Sequence, residues 1–260
     1  MRGKVWAAAI LCAGLGGAAA AQDITVIGEV HDNPAHHAAQ ARIVAGMAPR
    51  ALVFEMLTPE QAGRVADETP REAAVLEELF GWAESGWPAF SLYFPIIEAA
   101  PEARIYGAGV TRAQAREAME ANAAGGGVLP EEELRLFGLD APLPEDEQAA
   151  REALQMAAHC DALPEEMLPG MVRIQRLRDA MLAHAALEAL EETGGPVAVI
   201  TGNGHARMDW GMPALVARAA PEVALRVIGQ TEEGVPLPGG FDEVLSAPAA
   251  EREDPCAAFR

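Results

Sequence analysis

The chain has 260 residues, half of them hydrophobic, and 39 acidic residues against 19 basic ones, for a formal net charge of −20. A field of that sign repels nucleic acid and anionic lipid surfaces and disfavours highly phosphorylated substrates, so no nucleic-acid partner is expected. The length fits one large domain as well as two small ones.

Residues 1–21 begin with Arg2 and Lys4, continue through an apolar stretch from Val5 to Leu15, and end in Ala19-Ala20-Ala21. This is the layout of a signal peptide, and its apolar part is too short to span a membrane. Cleavage after Ala21 leaves one domain, 22–260, that is periplasmic or secreted and has no transmembrane segment. Losing Arg2 and Lys4, the only lysine, leaves 17 arginines against 39 acids, a net of −22. Cys12 departs with the signal, and the remaining even pair, Cys160 and Cys256, reads as one disulfide in an exported chain.

Apolar, partly β-branched runs at Ile24–Ile27, Ala51–Phe54, Arg104–Tyr106, Pro196–Thr201, Ala224–Ile228 and Phe241–Leu245 predict strands. Helical patterns separate most of them, which predicts an α/β fold with a mainly parallel sheet flanked by helices. Asp32 and Asn33 are cap candidates for a first helix that starts at Pro34 and runs to about Met47. From about Thr111 to Glu192 the alternation stops. Helices are expected over Thr111–Ala124, Glu145–Cys160 and Met167–Glu192, forming a helical insertion between the third and fourth strands that serves as a lid, a pocket wall or a structural subdomain.

Two of the strands end in the same pattern, Gly-x-x-His: Gly28-Glu29-Val30-His31 and Gly202-Asn203-Gly204-His205. A third strand runs into Glu55. In an open parallel sheet ligands lie outside the carboxyl ends of the strands, so Glu29, His31, Glu55, Asn203 and His205 are expected to meet at one crevice. Two imidazoles and two carboxylates suit a divalent transition metal held by His31, Glu55 and His205, with the remaining glutamate as general base of a metal-dependent hydrolase. The bland alternative is loop histidines and cap carboxylates. His36 and His37 read as solvated, with His36 in reach of such a metal, and His184 as a core residue. Arg178 and Asp179 either lean toward the crevice or leave Asp179 in a surface pair with Arg176. None of the three serines lies in a Gly-x-Ser-x-Gly turn, which excludes a serine-hydrolase elbow.

Gly28–Asn33, Val53–Met56, Trp87–Ala99, Gln175–Asp179 and Gly202–His205 together resemble the ChaN-like branch of the haem-uptake, Tiki, TraB and erythromycin-esterase superfamily. The resemblance covers nearly the whole mature chain. It implies a haem-binding protein linked to iron uptake, with haem held at a homodimer interface by a tyrosine on the iron. The chain has only two tyrosines, Tyr93 and Tyr106. Tyr93 sits in an aromatic stretch, Trp82 to Phe94, that reads either as a porphyrin clasp or as packed core edge. His159, beside Cys160, is a further iron-ligand candidate, and Arg178 a clamp for an oxyanion or carboxylate. The Tiki- and esterase-type relatives imply the rival activity, hydrolysis at the Glu29, His31, Glu55 and His205 rim.

Overall fold

The computed structural model describes residues 22–120, 127–254 and 256–257; the expected signal segment, 1–21, lies outside them. Strands β1 (Ile24–Glu29), β2 (Ala51–Phe54), β3 (Arg104–Gly107), β4 (Val197–Gly202), β5 (Leu225–Glu232) and β6 (Glu243–Ala247) form one sheet in the order β3-β2-β4-β1-β5-β6. Every neighbouring pair is parallel. The chain first moves outward from β1 to β2 and β3, then returns to place β4 between β2 and β1 before continuing to β5 and β6. The strand order therefore reverses between β4 and β1, where a crevice is expected in such a sheet.

Both faces of the central strands β2, β4 and β1 are covered, so these strands are mostly apolar on both sides, as buried parallel strands require, while the edge strand β6 is largely exposed. Val26, Val53 and Val199 face one core with helix α8 (Leu168–Thr193), while Ile27, Leu52, Phe54 and Ile200 face a second core with α1 (Pro34–Met47) and α4 (Phe90–Glu98). Asn33 caps α1 by accepting from the Ala35 N–H at 2.9 Å, and Pro34 takes the first helical position. Between β2 and β3 lie α2 (Pro59–Ala62), α3 (Ala73–Phe80) and α4. Between β3 and β4 the described residues hold only helices: α5 (Arg112–Glu120), α6 (Glu131–Leu136), α7 (Glu145–Ala158) and α8. The short α6 was not foreseen, because it offers too few residues for a periodic pattern.

After β6 the chain turns back across the crevice end of the sheet. Asn33 donates to Glu232 and to the Pro248 carbonyl, and the Arg252 guanidinium bonds both Asp32 and Glu232. Four residues later Cys256 is disulfide-bonded to Cys160 just beyond α7, with Cα atoms 5.6 Å apart. Among the described residues no helix is long and apolar enough to cross a membrane.

Candidate functional site

The carboxyl ends of β1, β4 and β2 lie side by side, and each delivers part of the rim. Glu29, the last residue of β1, is buried. His31 Nδ1 lies 2.8 Å from its Oε1, the Tyr93 hydroxyl donates to the same oxygen at 3.0 Å, and Gln40 donates to Oε2 at 2.7 Å. With its oxygens occupied from α1 and α4, Glu29 orients His31. His37 completes this wall: its Nε2–H donates to the His31 carbonyl at 2.8 Å and its ring meets Tyr93 edge-on.

Glu55 follows β2 and points across to the end of β4. Its Oε2 accepts from the Thr201 hydroxyl at 2.7 Å and from the Gly202 N–H at 2.8 Å. His205 lies on the short helix α9 (Asn203–Ala206), which starts directly at the end of β4. Its Nε2 lies 3.6 Å from Glu55 Oε1, and its Nδ1 lies 2.7 Å from Asp179 Oδ1 on α8. His31 approaches Glu55 from the other side. A Cβ on Gly202 would stand 2.9 Å from His31 Nε2 and 3.7 Å from Glu55 Oε2, so only glycine lets the ring come this close. The result is an alternating row, Glu29, His31, Glu55, His205 and Asp179.

The charges support one another. Burial alone would lower the His205 pKa, but Glu55 and Asp179 outweigh it and the pKa is raised. His31 is likewise raised, against burial, by the hydrogen bond to Glu29 and by the charge of Glu55. Burial works to raise Glu55, yet His205, His31 and the donors of Gly202 and Thr201 hold it down at about 2. Asp179 moves the other way, raised by burial in spite of His205. Such a row can take a proton at one imidazole while a carboxylate behind it stabilises the cation, the logic of an acid–histidine pair in acyl transfer. Over Glu55 opens a cleft of about 250 Å³ walled by Trp87, Thr58, Glu84, Arg112 and Arg178.

The family model for haem-binding uptake proteins, Tiki superfamily, ChaN, matches residues 16–216. The chain belongs to this family. The solved ChaN of Campylobacter jejuni, described as binding haem cofacially, is 16% identical over 83% of this chain and 84% of that one, with a TM-score of 0.61. That likeness shows the ChaN fold. The type III effector HopBA1 (12% identity, 88% of each chain, TM-score 0.43) and the erythromycin esterase EreC in its open conformation (12% identity, 85% of this chain and 74% of that one, TM-score 0.40) are more distant in shape. No curated protein matches the chain.

Against this ChaN fold several expectations are corrected. The metal set His31, Glu55 and His205 is not disposed as ligands: among the described residues no three His, Cys, Asp or Glu side chains are grouped to hold a metal ion. Glu55 Oε2 is taken by the Thr201 hydroxyl and the Gly202 N–H, and His205 Nε2 faces Glu55 Oε1 at 3.6 Å. His36 and His37 are buried, not solvated, and His36 Nδ1 accepts from the Val30 N–H at 3.0 Å. Asn203 clasps β5, exchanging two hydrogen bonds with the Gln230 backbone. Arg176 bonds the carbonyls of Gly138 and Ala141, leaving Asp179 to turn inward. His184 is a third exposed and pairs with Glu133.

The haem-contact candidates are scattered. Tyr93 is fully buried among Trp82 and His37, its hydroxyl is committed to Glu29, and burial with that negative neighbour pushes its pKa far up, so the phenolate that would bind iron is disfavoured. Tyr106 donates to Glu192 at 2.7 Å near the end of α8, where Arg50 of the β2 entry bonds the Thr193 carbonyl, so it faces the amino end of the sheet, away from the crevice. His159 caps α7 with Nδ1 2.8 Å from the Gln155 carbonyl. Arg178 lines the cleft beside Glu55.

Proposed function

We propose that the protein is an exported haem carrier of an iron-uptake system, with haem as cargo and His159 as the iron ligand. One observation carries the choice of ligand. The Gln155 carbonyl can only accept, so His159 Nδ1 bears a proton, and in the neutral ring the lone pair lies on Nε2, which among the described residues meets no partner. Imidazoles that bind metals use this arrangement, one ring N–H tied to a carbonyl and the other nitrogen open. Ala158, the residue before His159, joins Leu154, Val172 and Trp210 in walling a cavity of about 230 Å³ that offers apolar surface to a porphyrin edge. A second copy of the chain, presenting its own haem, would supply the cofacial partner. Hemin titration followed in the visible spectrum tests this: His159→Ala is expected to abolish the bound spectrum, while Tyr93→Phe and Tyr106→Phe retain it. Retention in His159→Ala with loss in either tyrosine variant would overturn the assignment.

A second reading, hydrolysis at the crevice, is favoured by the two acid–imidazole pairs that flank Glu55. His31 Nε2 would take a proton from water as the oxygen attacks a carbonyl carbon, with Glu29 stabilising the imidazolium, and the departing group would receive that proton as its bond breaks. Ester turnover lost in both His31→Ala and His205→Ala, with hemin binding intact, is the expected result; turnover unchanged by either substitution would remove this reading.

A further inference from the structure

We propose that the cleft over Glu55 binds a compact ligand through an anionic oxygen group, a carboxylate in preference to a phosphate, held by Arg178 and Arg112. The chain is rich in acids, and its arginines are mostly spent: Arg207 on Asp209, Arg252 on Asp32 and Glu232, Arg151 on Glu147, Arg173 and Arg176 on carbonyls. The two guanidinium groups that line this cleft are exceptions. Arg178 makes one hydrogen bond, 3.2 Å to the neutral amide of Gln175, and Arg112 has neither an acidic nor a carbonyl partner among the described residues. Guanidinium groups without a counter-ion, facing one cavity, are what a carboxylate or phosphate recognises, through charge-assisted and often bidentate bonds.

The charge balance inside the cleft selects between those two oxyanions. The carboxylate of Glu55 is already committed to Thr201, Gly202 and His205, which leaves Glu84 as the acid on the rim opposing two arginines. One surplus positive charge matches a monoanion. A phosphate dianion would add a second negative charge close to Glu55 and Glu84 in a protein whose own net charge is −20. The cleft also has a flat apolar wall: the Trp87 ring lies 4.8 Å from the His31 ring, edge to face. A ligand anchored at the arginines therefore lays its uncharged part against Trp87, whose ring touches the imidazole that the hydrolytic reading makes the base. On that reading, which this inference deepens, the substrate class is an ester or amide that carries a carboxylate away from the bond to be cut.

Isothermal titration of the full chain with benzoate, its neutral analogue benzamide, and inorganic phosphate tests the binding without requiring turnover. Benzoate is expected to bind about tenfold or more tightly than benzamide, and more tightly than phosphate. Arg178→Met and Arg112→Met, both at the cleft surface, are each expected to weaken benzoate by about tenfold, and together to bring it to the level of benzamide. No binding of benzoate, equal binding of benzoate and benzamide, or a benzoate preference that survives both substitutions overturns the proposal; phosphate binding more tightly than benzoate overturns the choice of carboxylate. Failure of the hydrolytic reading would look different: benzoate would still bind by way of the arginines, and no ester would turn over.

Discussion

Replacing Asp179 by asparagine keeps the volume on α8 and removes one charge from a side chain that is 3% exposed. The contact to His205 Nδ1 survives in form, with an amide oxygen accepting where a carboxylate did. A hydrogen bond to a charged group contributes about 1.5–3 kcal/mol and a neutral one about 1 kcal/mol, so the substitution is expected to cost roughly 0.5–2 kcal/mol. Asp179→Ala goes further, because it leaves the buried imidazolium with Glu55 alone on one side and a void on the other. Removing one partner of a buried pair costs about 3–5 kcal/mol, a fall in Tm of roughly 6–20 °C for a domain of this size. The pH dependence fixes the sign. The His205 pKa is raised in the folded state, so its contribution is fully present below the unfolded value of 6.5 and is lost as pH rises through the folded one. Without the Asp179 charge that pKa falls, and the stability gap between wild type and Asp179→Asn should be widest near about pH 6 and close toward about pH 9. Burial of an unpaired Asp179 carboxylate at high pH narrows the gap further. Thermal melts followed by circular dichroism across that range, with an NMR titration of His205, give the comparison. A gap that stays flat, or that widens as pH rises, would show that Asp179 does not hold a charged imidazole.

Other substitutions probe the remaining parts. Gly202→Ala puts a Cβ 2.9 Å from His31 Nε2, at the free end of a ring that can swing out, so the fold should persist at a cost of about 1–3 kcal/mol. The His31 pKa should drop toward its ordinary value, since the ring leaves Glu55; an unchanged NMR titration would count against the close approach. Tyr93→Phe removes one donor to buried Glu29 and should cost about 1–3 kcal/mol by calorimetry, with hemin binding preserved. Reducing the disulfide, whose cysteines are 96 residues apart, should remove about 4–5 kcal/mol in the chain-entropy account, or roughly 8–20 °C in Tm. A melting temperature indifferent to reductant would contradict it.

The rim was legible because strand ends announce themselves: a short apolar run followed by Gly-x-x-His fixes both the topological position and the chemistry, and β1, β2 and β4 deliver Glu29, Glu55 and His205 where such runs put them. What lay behind the rim was harder to read. His37 and Gln40 sit on α1, whose small side chains give no marked apolar stripe, so a pair of histidines in its first turn looks solvated although two buried partners of Glu29, His37 and Gln40, come from that helix. Asp179 was readable only as one of two choices. Its direction is set by Arg176 being drawn to carbonyls of the α6–α7 connection, a contact 35 and 38 residues away in sequence that no local pattern reports. The aromatic run from Trp82 to Phe94 fits core and clasp equally well by composition, and only the hydroxyl of Tyr93 meeting Glu29 decides for core.

Arg252 is fixed at Asp32, the residue next to His31, and Cys256, four positions on, is fixed at the end of α7. A chain of that length spans at most about 14 Å, so the sheet side of the crevice and the helical insertion are tethered within that reach. While the tether holds, the insertion can breathe but cannot swing clear of the strand ends. With the thiols free, Arg252 alone would hold the tail, and the covalent limit on the distance between the strand ends and the end of α7 would be gone. The width of the entrance thus becomes a property of the compartment's thiol chemistry as much as of the sequence, and an oxidising space is where this crevice keeps one shape.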